Sequence, residues 1–306
     1  MSRSEPRVAV VTDWPLAADA VVAGGGRVVP VEDAEALVWV DWSAPDRLAA
    51  LLEKYPHIRW VHLPGAGIES FLGAGLQSDG RLMTCSKGAH SSLVAEHALA
   101  LALAGLHSIG TSARASSWAP TRVSALVDQA VTIVGGGGIA TALVGFLAPL
   151  RARVTVVRRH PEPVAGARRT LTTAALHEAL PEARLVVLAL ALTPETRHII
   201  GAAELDAMHE RAWLVNVSRG GHVDTDSLVD ALERKVIAGA ALDVTDPEPL
   251  PDGHRLWSLP NCIITPHDAG SSGAVMALLA DRVRDNVARF GAGEPLLGLV
   301  DLEAGY

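Results

Sequence analysis

The stretch VTIVGGGGIATALVGFLAPLRARVTVVRR, residues 131–159, limits the fold of this chain more than any other segment. An apolar run of strand character ends in four glycines, a helix-like segment follows, and a second apolar run closes on two arginines. This is the rhythm of a βαβ unit in a parallel sheet. With Gly135 first, Gly137 third and Ala140 sixth, the segment satisfies G-x-G-x-x-A. In that pattern a tight turn leaves the strand, a residue without Cβ lets backbone amides approach a pyrophosphate, and a small residue lets the helix pack on the strand. Gly138, Ile139 and Ala140 open the helix, whose first N–H groups and dipole favour phosphate. Gly136 and Gly138 are extra to the pattern and are expected to loosen the loop.

A site for NAD would place an acid at the end of the second strand to accept hydrogen bonds from the ribose hydroxyls. Arg158 and Arg159 stand there instead. A guanidinium suits the charged 2'-phosphate of NADP, so the expected coenzyme is NADP(H) rather than NAD(H).

Such a fingerprint belongs near the start of its domain, yet it begins only at residue 135. The segments VAVVTD, ALVWVD, RLAALLEKYP and IRWVHL give the preceding residues strand and helix signals of their own, so a smaller α/β domain comes first. A length of 306 residues also exceeds what one core ordinarily serves. Apolar runs at 8–12, 131–135, 154–157, 185–190, 213–217, 238–244 and 262–265 read as strands covered on both faces. TDSLVDALERK (225–235) reads as a helix capped by Thr225 or Asp226. The helical run VMALLADRVRDNVARF, beyond the last strand, is expected to pack back on the first domain.

Composition excludes several classes. A net charge of −8 argues against a general nucleic-acid binder. Cys85 and Cys262 are the only cysteines and match no metal spacing, which fits a reducing compartment and no metal site. The N-terminus runs directly into a strand without a signal-peptide pattern, so a cytoplasmic location is expected. The most apolar segment, LVAEHALALALAGLH (93–107), is interrupted by Glu96 and His97 and is too short to span a membrane. It reads as a buried helix with one face available to a second subunit.

The later segments LVNVSRGGHVDTDSLVDAL and GAALDVTDPEPLPDGHRLWSLPNCIITPHDAG, together with IRWVHLPGAGIESF, LTPETRHIIG and NVARFGAGEPLLGLVD, resemble the D-isomer-specific 2-hydroxyacid dehydrogenases over almost the whole chain. The resemblance implies an α/β fold of two Rossmann-like domains. A coenzyme domain, 92–270, is inserted into a smaller flavodoxin-like substrate domain made of 1–91 and 271–306, which accounts for the late fingerprint. It implies a small 2-keto or 2-hydroxy acid as substrate and a homodimer.

By the same resemblance the catalytic residues are Arg219 of N-x-x-R-G, Glu248 of E-P-L-P and His267 of T-P-H-x-A-G. Arg219 grips the substrate carboxylate and polarises the adjacent carbonyl with paired donors. His267 protonates the carbonyl oxygen as hydride arrives, and Glu248 holds the imidazole and complements its charge. Ala66 and Gly67 present backbone amides to the substrate carboxylate, alongside Arg219 and His267. Asp243 orients the nicotinamide amide, and Thr193, Asn216 and Ser218 lie on loops facing the coenzyme. Lys87 either lines the active-site mouth or is solvated, and Trp118 belongs to a segment that in relatives reaches toward a pocket. Two departures bear on substrate choice and pH optimum: Asp268 directly follows the histidine, and His62-Leu63-Pro64 replaces the family's polar residue before the substrate loop. Glyoxylate, hydroxypyruvate and bulkier 2-keto acids all remain open as substrates. A non-catalytic NAD(P)-sensing protein of the corepressor type is the alternative on the same fold.

Overall fold

The computed structural model describes residues 4–11, 14–41, 43–76, 79–270 and 273–302. The chain divides into two compact units, Met1–His90 with Ser272–Tyr306, and Ser91–Ser271. The first unit holds β1 (Arg7–Val11), α1 (Pro15–Ala23), β2 (Arg27–Val28), β3 (Ala36–Trp39), α2 (Pro45–Lys54), β4 (Trp60–Leu63), α3 (Glu69–Gly73) and β5 (Leu82–Cys85). Its five strands are all parallel in the order β2-β1-β3-β4-β5, the flavodoxin-like doubly wound order.

The second unit opens with α4 (Ser91–Leu106) and α5 (Ile109–Ala113), then runs β6 (Ala130–Val134), α6 (Gly138–Leu147), β7 (Arg153–Arg158), β8 (Arg169–Thr172), α7 (Leu176–Ala179) and β9 (Leu185–Leu188). It continues with α8 (Ala202–Ala207), β10 (Trp213–Asn216), α9 (Thr225–Arg234), β11 (Gly239–Leu242), α10 (Arg255–Ser258) and β12 (Cys262–Ile264). The sheet order is β12-β11-β10-β9-β6-β7-β8. Read from the other edge it is the 3-2-1-4-5-6 dinucleotide-binding order with one further strand. The last helix, α11 (Gly273–Ala292), returns to the first unit, where Val283 and Val287 join Ala17, Ala20 and Val21 of α1 around Trp60 of β4.

Alternation along the strands explains both covered faces. In β6, Val131 and Ile133 enter a core with α4 and α6, whereas Val134 enters the opposite core. Helix α4 reaches its neighbours through small residues: Ala95, Ala98 and Ala102 are buried, and a Cβ on Gly105 would stand 2.3 Å from the Trp213 ring. Glu96 lies on the exposed side of this helix. No described helix is long and apolar enough to cross a membrane. Both cysteines are free and buried, Cys85 closing β5 and Cys262 opening β12.

Several sequence expectations change. The strands at 185–190, 213–217 and 238–244 stop one or two residues early, where the chain turns into the loops described below; Thr12 lies outside the described residues. The N-cap of α9 is Asp224, not Thr225 or Asp226, and its carboxylate accepts from the Ser227 hydroxyl at 2.7 Å. Strands β2, β5 and β8 gave no clear signal in the sequence.

Candidate active site

The glycine loop separates into three roles. Gly135 has φ +119°, and a Cβ there would lie 2.0 Å from the Ala189 carbonyl oxygen, so the turn out of β6 requires glycine. Gly137 caps α6, and a Cβ on it would meet nothing within 4 Å. It faces open space beside the first-turn amides of Gly138, Ile139 and Ala140, which have no intrahelical acceptor. That cradle fits a pyrophosphate. Ala140 is fully buried against the sheet. Gly136 corrects the expectation that it merely loosens the loop: a Cβ there would stand 2.6 Å from Arg158 Cδ and 2.7 Å from its Nε. The missing side chain is the space that Arg158 occupies.

Arg158 ends β7 half-buried, 3.8 Å from Glu162, and Arg159 beyond it is exposed. In the loop after β9, Thr193 donates its hydroxyl to Glu195 at 2.7 Å. That bond, with Arg159 adding to it, holds the Glu195 carboxyl below the usual carboxylate range. The structure thus brings Gly135–Ala140, Arg158 and Arg159 to one end of the sheet, at the carboxyl ends of the strands.

The ends of β10, β11 and β12 form a second cluster at the same edge. Asn216, fully buried, accepts from the Ser218 backbone N–H at 3.1 Å and its hydroxyl at 2.9 Å, and donates to the Arg219 carbonyl at 2.8 Å. Arg219 donates from its guanidinium to the Ser218 carbonyl at 2.7 Å. Gly220 then passes so close to the next loop that a Cβ would lie 1.9 Å from the Thr245 carbonyl oxygen. The glycine after the arginine is therefore what lets the Arg219 loop dock on the Glu248 loop. That second loop has cis bonds at Asp246–Pro247 and Glu248–Pro249.

Asp243 is 1% exposed and sits just after β11. Its carboxylate accepts from the Thr265 hydroxyl at 2.6 Å, from the Asp268 N–H at 2.9 Å and from the Ala269 N–H at 3.1 Å. Its own carbonyl accepts from the His267 N–H at 2.8 Å. Asp243 therefore builds the turn that carries His267, a residue held at φ +57°. On that turn His267 Nδ1 lies 2.7 Å from Glu248 Oε1. Both side chains are a little under half exposed. Asp268 is exposed and reaches Asp243 through its backbone.

Two histidines support this cluster and were missed in the sequence. His97 of α4, noticed there only as an interruption, places Nε2 3.0 Å from the Thr265 hydroxyl and 3.2 Å from Asp243 Oδ1. His222, fully buried, sets its ring nitrogens against the Arg219 carbonyl at 3.0 Å and the Ala191 carbonyl at 3.2 Å. Only the pattern of a histidine inside otherwise apolar or glycine-rich sequence marked either one.

In the other unit, Ala66 and Gly67 lie in the turn after β4. The Gly65 carbonyl accepts from the Ser86 N–H at 3.1 Å, and the Cys85 thiol lies 3.9 Å from the Ala66 carbonyl. Lys87 is half-buried just beyond β5, its carbonyl accepting from Arg282 at 2.9 Å. Trp118 is fully exposed on the coil after α5.

Comparison with known proteins agrees with this geometry. Residues 97–269, more than half of the chain, match the NAD binding domain of the D-isomer specific 2-hydroxyacid dehydrogenases. A Corynebacterium melassecola relative described as "Uncharacterized protein in proB 3'region" is 37% identical over 295 residues, 94% of this chain and 95% of that one. Glyoxylate reductase of Thermococcus gammatolerans is 37% identical over 175 residues, 57% of this chain and 52% of its own length. Among solved structures, the D-isomer specific 2-hydroxyacid dehydrogenase of Xanthobacter autotrophicus Py2, in complex with NADPH and MES, superposes with a TM-score of 0.84 at 28% identity, covering 99% of this chain and 100% of that one. The NADPH-dependent glyoxylate/hydroxypyruvate reductase of Sinorhizobium meliloti, in complex with NADP and sulfate, does so with a TM-score of 0.79 at 28% identity and the same coverage. A doubly wound pair of parallel sheets, a glycine turn that must be glycine and a family match across the nucleotide unit agree, and the chain belongs to the D-isomer-specific 2-hydroxyacid dehydrogenase family.

Proposed function

We propose that this oxidoreductase is an NADPH-preferring reductase that converts a small 2-keto acid, of the glyoxylate or hydroxypyruvate type or bulkier, into the D-2-hydroxy acid. The observation that carries the proposal is the 2.7 Å contact between His267 Nδ1 and Glu248 Oε1 on docked loops at the carboxyl edge of the sheet. The Nδ1–H donates to the carboxylate, which fixes the ring and makes Nε2 the nitrogen that delivers a proton to the carbonyl oxygen. A bound nicotinamide supplies the hydride. Arg219 grips the substrate carboxylate and polarises the carbonyl, helped by the Ala66 and Gly67 amides. Asp243, Thr193, Asn216 and Ser218 serve the coenzyme side.

The coenzyme preference is supported by Arg158 lying over Gly136, by Arg159 next to it, and by relatives crystallised with NADPH or NADP. A homodimer built partly on α4 belongs to the same proposal and is checked by solution mass. The deciding experiment follows NADPH and NADH oxidation across a panel of 2-keto acids. A kcat/KM with NADH equal to or above that with NADPH removes the preference. Absence of turnover on every acid favours the corepressor-like sensor. If His267→Ala keeps most of the turnover on a good substrate, the proton donor is another group.

A further inference from the structure

Behind the loop holding Ala66 and Gly67 lies a buried polar chain that includes His62, one of the departures from the family pattern. His62 of β4 pairs with Thr84 of β5 in register, on the face of the sheet that α11 covers through Trp60. Trp60, His62, Thr84 and Ser86 are each at most 2% exposed. Trp60 Nε1 lies 2.8 Å from Thr84 Oγ1, Thr84 Oγ1 lies 2.9 Å from His62 Nδ1, and His62 Nε2 lies 3.3 Å from Ser86 Oγ. The Ser86 N–H in turn holds the Gly65 carbonyl at 3.1 Å.

Donor chemistry gives this chain one direction. The indole N–H only donates, so the Thr84 hydroxyl accepts from it. The single Thr84 proton goes to His62 Nδ1 at 2.9 Å in preference to the Val61 carbonyl at 3.4 Å. Nδ1 is then an acceptor, the ring proton sits on Nε2, and Nε2–H donates to Ser86. Burial, with the Arg282 guanidinium adding to it, holds the His62 pKa down to about 3. The ring stays neutral and the direction fixed under ordinary conditions.

We infer that His62 is a positioning residue for substrate: through Ser86 it sets where the Gly65–Gly67 loop presents its amides to the substrate carboxylate. The inference rests on the functional reading above, in which those amides bind that carboxylate. A buried polar residue is costly unless every hydrogen bond is made. Leucine would fill much of the same space, so an apolar residue would serve a sheet that needed only packing.

The test compares His62→Leu, His62→Gln and Ser86→Ala in the full chain. KM for glyoxylate, or for the best acid of the panel, is expected to rise by about three- to tenfold in His62→Leu, the net worth of one hydrogen bond. kcat and KM for NADPH stay within about twofold, since the nucleotide unit is untouched. His62→Gln, whose amide can donate and accept, restores most of the KM. Ser86→Ala keeps the N–H but loses the hydroxyl that accepts from His62 Nε2–H, and it raises KM in the same direction. Amide exchange of the peptide spanning 64–69 is expected to quicken in His62→Leu and Ser86→Ala, and this readout needs no turnover. Wild-type KM and wild-type exchange in both variants overturn the inference, as does a fall in kcat with KM unchanged. If the wild type turns over no 2-keto acid, the functional reading fails by itself and the exchange data still decide whether His62 holds the loop.

Discussion

Gly135 and Gly137 are two residues apart in one motif, yet they are predicted to fail in opposite ways when changed to alanine. At Gly135 the new Cβ would lie 2.0 Å from the Ala189 carbonyl oxygen and 2.5 Å from its carbon, at a φ of +119°. Neither group can yield, because the Ala189 N–H is itself bonded to Val134 in the sheet at 2.8 Å. Backbone strain of about 1–3 kcal/mol adds to an overlap with fixed atoms, so Gly135→Ala is expected to cost about 4 kcal/mol, in the range reserved for severe core lesions. For a unit of this size that is a loss of about 10 °C in melting temperature.

At Gly137 the φ is an ordinary −85° and a Cβ meets nothing within 4 Å. Gly137→Ala should therefore change stability by less than about 1 kcal/mol. Its methyl would, however, stand where the pyrophosphate approaches the amides of Gly138 and Ile139. Lengthening hydrogen bonds to a charged group by that amount removes about 1.5–3 kcal/mol, a loss of about 10- to 100-fold in NADPH affinity. Thermal melts and NADPH fluorescence titrations on both variants give the four numbers. Gly137→Ala binding NADPH within about twofold of wild type, or Gly135→Ala melting within about 2 °C of it, would refute the division of labour between the two glycines.

Four further outcomes are expected. Arg158→Ala should lower kcat/KM with NADPH by about 10- to 100-fold and leave NADH unaffected; Gly136→Ala, which displaces the Arg158 side chain, should shift the preference in the same direction with little loss of stability. Glu248→Gln should reduce kcat by about 10- to 100-fold with NADPH binding unchanged, because the imidazole loses the partner that orients it and complements its charge; unchanged kcat in steady-state assays would show that the 2.7 Å contact is not used. The first unit should weaken as pH falls from about 6.5 toward about 3, since in that window the unfolded His62 takes up a proton that the folded one refuses. The sign follows because the unfolded state binds more protons there, so stability is complete above the unfolded pKa and declines by about 2 kcal/mol by pH 5. Urea melts at several pH values should show a shallower slope in His62→Gln than in wild type, the remainder including His90 of the same unit, whose pKa burial also lowers.

What could be read in the sequence followed burial. Central strands such as β6, β9 and β10 are unbroken apolar runs because helices cover both faces, and all were visible. The unread strands β2, β5 and β8 are all sheet edges. β2 is exposed throughout and β8 is nowhere fully buried, so neither carries the apolar pattern on which a strand reading depends. Gly136 shows the same boundary at one residue. Its place beside the motif was visible, but its reason, the Arg158 side chain folding over it, lies in a strand some twenty residues away.

The supporting histidines show why a site is harder to read than a fold. His62 and His97 act through partners 22 and 168 residues distant in the chain, and His222 ties the nearby Arg219 carbonyl to Ala191, 31 residues away, separations that no motif encodes. Asp243 and Asn216 were visible from the family pattern, and their burial adds something to it. The hydrogen bonds of Asp243 run to Thr265, Asp268 and Ala269, and those of Asn216 to Ser218 and Arg219. Asp243 follows β11 and Asn216 closes β10, and each shapes the loop that carries the next charged group, His267 in one case and Arg219 in the other. A contact from either to a coenzyme would therefore be made by a side chain already fixed by its own loop. Positioning of that kind costs little entropy when ligand binds. Under the proposed function it would also couple the two halves of the chemistry, because a change at Asp243 would move the His267 turn as well as a contact to the coenzyme.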